Sequence, residues 1–249
     1  MNENEFCDKV AVVTGGTGGI GRALTLALAG RGCRVWFCGR NGDPEDVETA
    51  CGGLGHFVRC DLSRPGEPER FVTEALDAGG GRIDYLVNNV AFDGRLAFGE
   101  TNGDDFDRFV GINLKAAFLV TRAALPGLRA GEGRAVVTLG TTNWMLGLSP
   151  FTLYGAAKSG LVGFTRALAR ELGPERIRVN MLSPGWVMTA KQLECYVTEE
   201  DKRQLLRDQA LPFLLEETHI TGPALFLLSS AAAAVTGQNL VVDGGKLMQ

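Results

Sequence analysis

The chain runs Lys9-Val10-Ala11-Val12-Val13-Thr14 and then Gly15-Gly16-Thr17-Gly18-Gly19-Ile20-Gly21. The first segment is a short apolar run, and residues 20–28 have the spacing of a helix, so the pattern predicts a strand, a tight turn and a helix. Glycines at such a turn let the backbone approach a ligand, and free N–H groups at a helix N-terminus attract a pyrophosphate. The competing interpretation is a glycine-rich turn that binds nothing.

Apolar strands and periodic helices alternate through the rest of the chain. Because strands that alternate with helices form parallel sheets, we predict a single α/β domain with a Rossmann-like, doubly wound parallel sheet of about seven strands and helices on both faces. A ligand is expected at the carboxyl ends of the strands. The further strands are expected at 34–38, 56–60, 83–87, 134–139, 176–182 and 239–242, and the further helices at 67–76, 104–128, 154–172 and 218–228.

The composition indicates one soluble domain with a sizeable core. The chain has 249 residues, of which 45% are hydrophobic and 22% are charged. The formal net charge is -4 and no Lys/Arg run exceeds two residues, so nucleic acid and anionic membrane are not expected partners. The first eight residues lack an apolar signal segment, and we expect no membrane-spanning segment later in the chain. The expected location is the cytoplasm.

Cysteine and histidine are too scattered to suggest a metal site. The six cysteines include no Cys-x-x-Cys pair, and the two histidines are His56 and His219. We therefore expect no bound metal, and we interpret the cysteines as reduced structural thiols.

Two positions at strand ends bear on the choice of a dinucleotide. In dinucleotide-binding folds an acidic residue about twenty residues beyond the glycines binds the ribose hydroxyls, whereas a basic one accommodates a 2′-phosphate. Here Arg40 stands near that place, and the first carboxylate after it is Asp43. The pattern favours NADP(H) over NAD(H), unless Arg40 is only a solvated loop residue. Asp61, at the end of the third strand, is placed to accept a hydrogen bond from an adenine amino group.

Tyr154 and Lys158 lie four residues apart at the start of a predicted helix, so their side chains share one face. A nearby ammonium lowers the pKa of a phenol, which brings it toward the range where it exchanges protons with an alcohol. The small residues at 155–157 leave room for a flat ligand. By itself, such a pair is more often a surface tyrosine whose ring packs on a lysine stem.

Several short motifs occur together, in one order and over essentially the whole chain. In this combination the sequence resembles the short-chain dehydrogenase/reductases, which implies an oxidoreductase that moves a hydride between nicotinamide C4 and a carbinol carbon. The motifs are Thr14-Gly15-x-x-x-Gly19-Ile20-Gly21, Asp61, Asn88-Asn89, Asn113, Tyr154-x-x-x-Lys158, Pro184-Gly185, and Val235-Thr236-Gly237-Gln238 followed by Asp243-Gly244-Gly245.

The resemblance implies a role for each matched position. Tyr154 is expected to be the general acid/base, and Lys158 to lower its pKa and to hold the nicotinamide ribose. Asn113 resembles the family's helix asparagine, whose backbone distortion seats a proton-relaying water; without the resemblance it would be a polar residue tolerated in a helix. The residues expected to bind the cofactor are Gly15, Thr17, Gly18, Gly19, Ile20, Gly21, Arg40, Asp61, Leu62, Asn89, Val90, Ala91, Tyr154, Lys158, Pro184, Gly185, Val187 and Thr189.

Two positions depart from the family's pattern. The family's catalytic serine, thirteen residues before the tyrosine, corresponds to Thr141, which keeps the hydroxyl but adds a methyl group. We expect Thr141 to hydrogen-bond the substrate oxygen, with Thr142 as the alternative donor. Val90-Ala91 stands where alanine and glycine are usual, which adds bulk beside the cofactor.

The substrate region resembles the sugar 1-dehydrogenases of the family, the pentose-oxidising type especially. The resemblance rests on residues 142–148 and 153–154, on Gly185-x-Val187-x-Thr189 and on Gln192. The alternative is that Trp144 and its neighbours line an apolar pocket for another alcohol or ketone. A polyol pocket would draw its hydroxyl partners and stacking face from Asp93, Arg95, Thr141, Asn143, Trp144, Tyr154, Gln192, Tyr196 and Gln209.

Residues 186–215 form a long segment of irregular pattern, which is typical of a mobile substrate lid. Three functions stay open from the sequence: an aldose dehydrogenase, a general carbonyl or 3-oxoacyl-thioester reductase, and a protein that binds NAD(P) without catalysis. Members of the family are usually dimers or tetramers, so the resemblance implies a homo-oligomer.

Overall fold

The computed structural model describes residues 4–40 and 44–248. Its strands are β1 (Val10–Thr14), β2 (Arg34–Gly39), β3 (Gly55–Arg59), β4 (Tyr85–Asn88), β5 (Ala135–Leu139), β6 (Arg178–Pro184) and β7 (Asn239–Val242). They form one parallel sheet in the order β3-β2-β1-β4-β5-β6-β7. The predicted doubly wound α/β sheet is confirmed.

Helices cover both faces of the sheet. They are α1 (Gly19–Ala29), α2 (Pro44–Ala50), α3 (Glu67–Gly79), α4 (Gly103–Val110), α5 (Ala116–Ala130), α6 (Asn143–Leu146), α7 (Thr152–Leu172), α8 (Ala190–Cys195), α9 (Glu199–Asp208) and α10 (Thr218–Leu228). Shorter turns lie at Phe98–Glu100, Gly111–Lys115, Gly173–Glu175 and Ser230–Ala232.

Each strand contributes apolar side chains to two cores. Ala11 and Val13 of β1 pack with residues of α1, α2 and α10, whereas Val10 and Val12 pack with residues of α3, α5 and α7. Successive side chains of a strand point to opposite faces, so a strand covered on both faces must be apolar at every position. This requirement explains why the strands read as continuous apolar runs in the sequence.

The strand order reverses between β1 and β4, and this reversal opens a crevice at the carboxyl ends of the two strands. Thr14 joins the strands there, because its Oγ1 accepts hydrogen bonds from the backbone N–H groups of Asn89 (2.8 Å) and Val90 (3.1 Å). The Asn89 side chain donates back to the carbonyl oxygens of Thr14 (3.0 Å) and Gly15 (3.2 Å). The floor of the crevice is therefore fixed by hydrogen bonds from the Thr14 and Asn89 side chains to backbone groups at the ends of two central strands.

The expectation of an irregular lid is wrong, since residues 186–215 contain α8 and α9. The helix α9 has few apolar residues and so shows little helical periodicity, but Thr198 and Asp201 form a capping box at its start. The ends of the segment meet in a bridge between Val187 and Leu215. The helices α2 and α6 were also absent from the sequence prediction.

The predicted helix over 104–128 is present as α4 and α5, joined without a break by a π-helical turn at Gly111–Lys115. By length and composition alone this helix could cross a membrane, which the sequence analysis did not anticipate. Val120, Ala124 and Leu128 are fully buried in the core shared with the sheet. That packing is typical of the core helix of a globular domain.

Candidate active site

The turn between β1 and α1 has the form that a pyrophosphate requires. The first turn of α1 has no capping side chain, which leaves its N–H groups for a ligand. A Cβ atom at Gly21 would lie 2.0 Å from the Gly15 carbonyl oxygen, and one at Gly16 would lie 2.6 Å from Cβ of Phe37. Glycine is therefore required at both positions for the turn to pack.

A cleft of about 620 Å³ runs from this turn to Tyr154 and Lys158. Its size and its glycine-lined, N–H-rich floor fit a dinucleotide. Gly19 and Gly21 support the turn instead of lining the cleft, and Gly185 and Val187 line an adjoining cavity. The predicted cofactor residues that do line the cleft are Gly15, Thr17, Gly18, Ile20, Arg40, Asp61, Leu62, Asn89, Val90, Ala91, Tyr154, Lys158, Pro184 and Thr189.

The far end of the cleft carries Arg40 and Asp61, whose closest charged atoms are 3.9 Å apart. Asp61 Oδ1 accepts hydrogen bonds from the hydroxyl (2.6 Å) and the N–H (3.1 Å) of Ser63. The Ser63 hydroxyl is the main cause that holds the pKa of Asp61 below its ordinary value. A Cβ atom at Gly39 would lie 2.6 Å from Thr17 Oγ1, so a carboxylate side chain has no room there. Asp43 lies outside the described residues.

Asn113 sits in the π-helical turn, as the expected backbone distortion requires. Its Nδ2 donates to the carbonyl oxygens of Phe92 (2.9 Å) and Phe109 (3.0 Å), and its Oδ1 accepts from the Phe92 N–H (3.0 Å). Asn113 therefore fixes the loop that follows β4. A small cavity of about 10 Å³, lined by Asn113, Lys158 and Leu139 among others, has room for about one water molecule.

Lys158 and Tyr154 are both buried, and this burial controls their acidity. Lys158 Nζ donates to the Leu139 carbonyl oxygen (2.7 Å) and lies 5.9 Å from the centre of the Tyr154 ring. Burial lowers the pKa of Lys158 to about 8. Burial also raises the pKa of Tyr154, with a further increase from the charge of Asp93 and a smaller opposing effect from the Thr141 hydroxyl. Lys158 is not among the causes that shift the pKa of Tyr154, so the expectation that Lys158 lowers this pKa stays a prediction.

Thr141 is the threonine whose hydroxyl reaches the tyrosine. Its hydroxyl is close enough to Tyr154 to act against the rise in the pKa of that phenol, and it donates a hydrogen bond to Asn143 Oδ1 (3.1 Å). The Thr142 hydroxyl instead donates to the Pro184 carbonyl oxygen (3.4 Å). The geometry favours Thr141 over Thr142 as the hydroxyl that meets a substrate.

A second cavity of about 470 Å³ adjoins the cleft, and Tyr154 lines both. Of the residues predicted for the substrate, Asp93, Arg95, Thr141, Asn143, Tyr154 and Gln192 line this cavity. Trp144, Tyr196 and Gln209 do not. The sequence analysis missed Ser149, Phe151, Trp186, Asp201, Gln204, Asp208 and Lys246, which also line it.

The misplaced residues have other contacts. Trp144 lies in a separate surface depression beside Gly155 on α7. Gln209 is buried and its amide donates to the carbonyl oxygens of Leu211 (2.8 Å) and Phe213, so it shapes the end of the lid segment. The expectation that Trp144 and Gln209 face the substrate is therefore wrong, because the turn at α6 directs the indole away from the cavity.

Comparisons with known proteins agree with this geometry. A family model described as enoyl-(acyl carrier protein) reductase matches residues 15–246. The chain is 36% identical to a D-xylose 1-dehydrogenase of Caulobacter vibrioides over 241 residues, 95% of each protein. It is 34% identical to a 3-oxoacyl-[acyl-carrier-protein] reductase of Bos taurus, covering 96% of this chain and 98% of that protein. A crystal structure of a glucose/ribitol dehydrogenase of the short-chain type from Brucella melitensis superimposes with a TM-score of 0.88 at 31% identity, covering 98% of this chain and 99% of that one.

The chain belongs to the short-chain dehydrogenase/reductases. It is therefore an oxidoreductase of a family that uses NAD(P), and its substrate is a small molecule. Within residues 4–40 and 44–248, no group of three His, Cys, Asp or Glu side chains is arranged to hold a metal ion.

In this dehydrogenase the loop after β4 is bound to residues 186–215 by hydrogen bonds at Asp93. Asp93 accepts hydrogen bonds from Lys191 Nζ (2.6 Å) and Gln192 Nε2 (2.7 Å), both on α8. Trp186 Nε1 in turn donates to Gln192 Oε1 (2.9 Å). Burial acts to raise the pKa of Asp93, but Lys191 and Gln192 outweigh it and hold the pKa below its ordinary value. The charge next to Tyr154 is therefore an ionised carboxylate paired with the lid.

Proposed function

We propose that the enzyme oxidises the hemiacetal carbon of an aldose, with NADP(H) as its preferred cofactor. The observation that carries this proposal is the position of Tyr154, which lines both the dinucleotide-sized cleft and the second cavity beside it. A group in the cavity can therefore reach the phenol while it also faces the cleft.

Each residue near Tyr154 has a task in this reaction. Tyr154 accepts the proton of the C1 hydroxyl during oxidation and returns one to the carbonyl oxygen during reduction. Thr141 hydrogen-bonds the same oxygen and positions it. Lys158 holds the nicotinamide ribose, and Asn113 shapes the small cavity through which a water relays the proton toward solvent. The nicotinamide supplies the hydride chemistry and is held by the cleft residues given above.

An aldose is favoured over an acyl thioester by the walls of the cavity. Asp93, Arg95, Asn143 and Gln192 offer the charged and amide groups that bind hydroxyls. Apolar side chains, among them Leu146, Leu148, Phe151 and Leu205, line the rest of the cavity. The similarity to a D-xylose 1-dehydrogenase supports the same choice. The similarity to a 3-oxoacyl-[acyl-carrier-protein] reductase supports the alternative, a carbonyl or 3-oxoacyl-thioester reductase.

The preference for NADP(H) rests on the far end of the cleft. Gly39 leaves no room for a carboxylate, and the exposed Arg40 guanidinium stands where a 2′-phosphate would lie. The Arg40→Ala variant should weaken NADPH by about 10-fold, as for loss of one charged hydrogen bond, and NADH by much less. Equal losses in fluorescence titrations of the two cofactors would contradict the NADP(H) preference.

The substrate assignment is tested by a panel. Pentoses, hexoses, simple secondary alcohols, ketones and a 3-oxoacyl thioester are incubated with each nicotinamide, and the absorbance of the reduced cofactor is followed. Turnover of aldoses with a lower rate for the other compounds supports the proposal. If ketones or the thioester are turned over and no aldose is, the proposal of an aldose substrate is wrong. Binding of cofactor with no turnover at all would favour a non-catalytic protein.

The remaining expectations belong to the same proposal. A cytoplasmic location is supported by the six cysteines, all of which are free within the described residues. A homodimer or homotetramer is supported by exposed aromatic residues on α4 and α5, Phe106 and Phe118. We assign residues 186–215 as the substrate lid, because their helices form one wall of the cavity while their ends stay joined.

A further inference from the structure

Arg95 is held inside a cage of aromatic rings. Its Cζ lies 4.1 Å from the centre of the Tyr196 ring, 5.4 Å from that of Phe151 and 5.6 Å from that of Trp186. Guanidinium groups stack on aromatic faces and keep their N–H donors in the plane of the group. The cage therefore fixes the orientation of the guanidinium and leaves its edge for another partner.

No protein group satisfies that edge. Arg95 Nε is buried without a hydrogen-bond partner, and the guanidinium forms no ion pair with a residue of the described ranges. Other charged side chains of the same cavity are paired: Asp93 with Lys191 at 2.6 Å, and Asp208 with Lys246 at 3.0 Å. Arg95 is half-buried and lines the cavity, and its terminal N–H groups form no hydrogen bond with the described residues, so these groups are left for a ligand that supplies an acceptor.

Asp201 faces the same cavity from the lid. Its Oδ2 accepts hydrogen bonds from the N–H (2.9 Å) and the hydroxyl (2.6 Å) of Thr198, and Oδ1 has no partner among the described residues. The carboxylate is close enough to Arg95 for the two charges to interact. A donor and an acceptor thus line the same cavity, close enough for their charges to interact.

The cage also sets where this pair lies relative to the reacting carbon. The Phe151 ring contacts both Arg95 and the ring of Tyr154, with 6.1 Å between the two ring centres. Arg95 is therefore one aromatic ring away from the phenol, along the wall of the cavity.

We propose that Arg95 and Asp201 form a hydroxyl clamp for one hydroxyl on the part of an aldose ring remote from C1. This inference rests on the proposed function. A hydroxyl both accepts and donates, so it satisfies Arg95 and Asp201 together. A substrate carboxylate would satisfy Arg95 but would be repelled by Asp201, so the substrate class is a neutral aldose and not a sugar acid.

The clamp is tested with Arg95→Met, which keeps the length of the stem, and with the aldose that the wild-type enzyme turns over best. Kinetics are compared for that aldose and for its monodeoxy derivatives at each ring position other than C1. Arg95→Met should lower kcat/KM for the parent aldose by about 10- to 100-fold, mainly through KM, as for loss of a hydrogen bond to a charged group. For the deoxy sugar that lacks the clamped hydroxyl, wild type and variant should agree within about twofold.

Three results would overturn the clamp. If Arg95→Met lowers kcat/KM equally for the parent aldose and for every deoxy sugar, Arg95 has a packing role only. A loss confined to the corresponding uronic acid would make the ligand an anion. Failure of wild type to turn over any aldose would remove the proposed function and the clamp together, whereas the first two results leave the aldose assignment in place.

Asp201 needs a control because it also caps α9. Asp201→Asn should lower kcat/KM for the parent aldose. It should also reduce the deoxy penalty, which is the ratio of kcat/KM for the parent aldose to kcat/KM for the deoxy sugar that lacks the clamped hydroxyl. Thr198→Ala breaks the same cap but leaves the carboxylate in place. It should reproduce any loss of thermal stability without changing the deoxy penalty. If Thr198→Ala changes that penalty as much as Asp201→Asn does, Asp201 acts through the cap and the clamp is wrong.

Discussion

The two halves of the active site are built differently. On the cofactor side, the turn at 15–21, the π-helical turn around Asn113 and the start of α7 are held by buried strands and by hydrogen bonds from side chains to the backbone. On the substrate side, the loop after β4, α6 and residues 186–215 meet through side chains, and Asp93 and Arg95 contact the lid by an ion pair and by aromatic rings. Backbone-built sites are visible in a sequence, whereas side-chain-built sites depend on how distant segments meet.

The largest effect is expected on the cofactor side. Tyr154→Phe removes the proton acceptor while keeping the ring, so the rate of turnover should fall by at least about 10²- to 10⁴-fold. Thermal stabilisation by NADPH should persist, because the cleft residues stay in place. Normal turnover by Tyr154→Phe would contradict the assignment of Tyr154 as the proton acceptor.

Thr141→Val should reduce kcat by about 100-fold, as for loss of one donor to a developing oxyanion. Thr142→Val is the matched control, since the Thr142 hydroxyl is directed at the Pro184 carbonyl oxygen. Steady-state kinetics of both variants decide the assignment. If kcat is near normal in Thr141→Val and low in Thr142→Val, the hydroxyl that binds the substrate oxygen belongs to Thr142.

On the substrate side, Trp186→Phe and Trp144→Phe form a pair. Trp186 lines the cavity and donates to Gln192, so its loss should raise KM for the sugar by about 10-fold. Trp144 lies outside the cavity, and Trp144→Phe should leave KM within about twofold of wild type. A larger increase of KM in Trp144→Phe than in Trp186→Phe would show that Trp144 supplies the stacking face for the sugar.

The smallest effect is a displacement of the pH profile. Burial and the charge of Asp93 raise the pKa of Tyr154, so the oxidation rate should rise with pH as the phenol ionises. Asp93→Asn removes that charge and should move the rising limb to lower pH. Lys191→Met removes the ion pair of Asp93 but keeps the hydrogen bond from Gln192, and it should move the rising limb of the profile to higher pH. Identical profiles of kcat against pH for both variants and wild type would show that the lid does not tune the phenol.

Much of the fold and of the cofactor side could be predicted from the sequence. The β1–α1 turn, Asn113, Tyr154 and Lys158 fall where the motifs indicate, because glycine spacing and apolar runs report backbone geometry directly. The rise in the pKa of Tyr154 was not predicted, because the sequence shows the neighbouring lysine but not the burial of the phenol.

The substrate side could be predicted only in part. Asp93, Arg95 and Gln192 were predicted individually. Asp201 lies within the predicted lid but was not singled out, and Lys246 comes from a segment whose meeting with the cavity no local pattern shows. Trp144 and Trp186 are equally plausible in the sequence, and only the chain path at α6 separates them.

Transfer of deuterium from an aldose labelled at C1 tests the central claim most directly. The labelled sugar is mixed with wild-type enzyme and NADP⁺, and the nicotinamide is examined by mass spectrometry after a single turnover. We expect one deuterium in the reduced nicotinamide and a slower chemical step than with unlabelled sugar. Reduced cofactor without deuterium would contradict hydride transfer from C1.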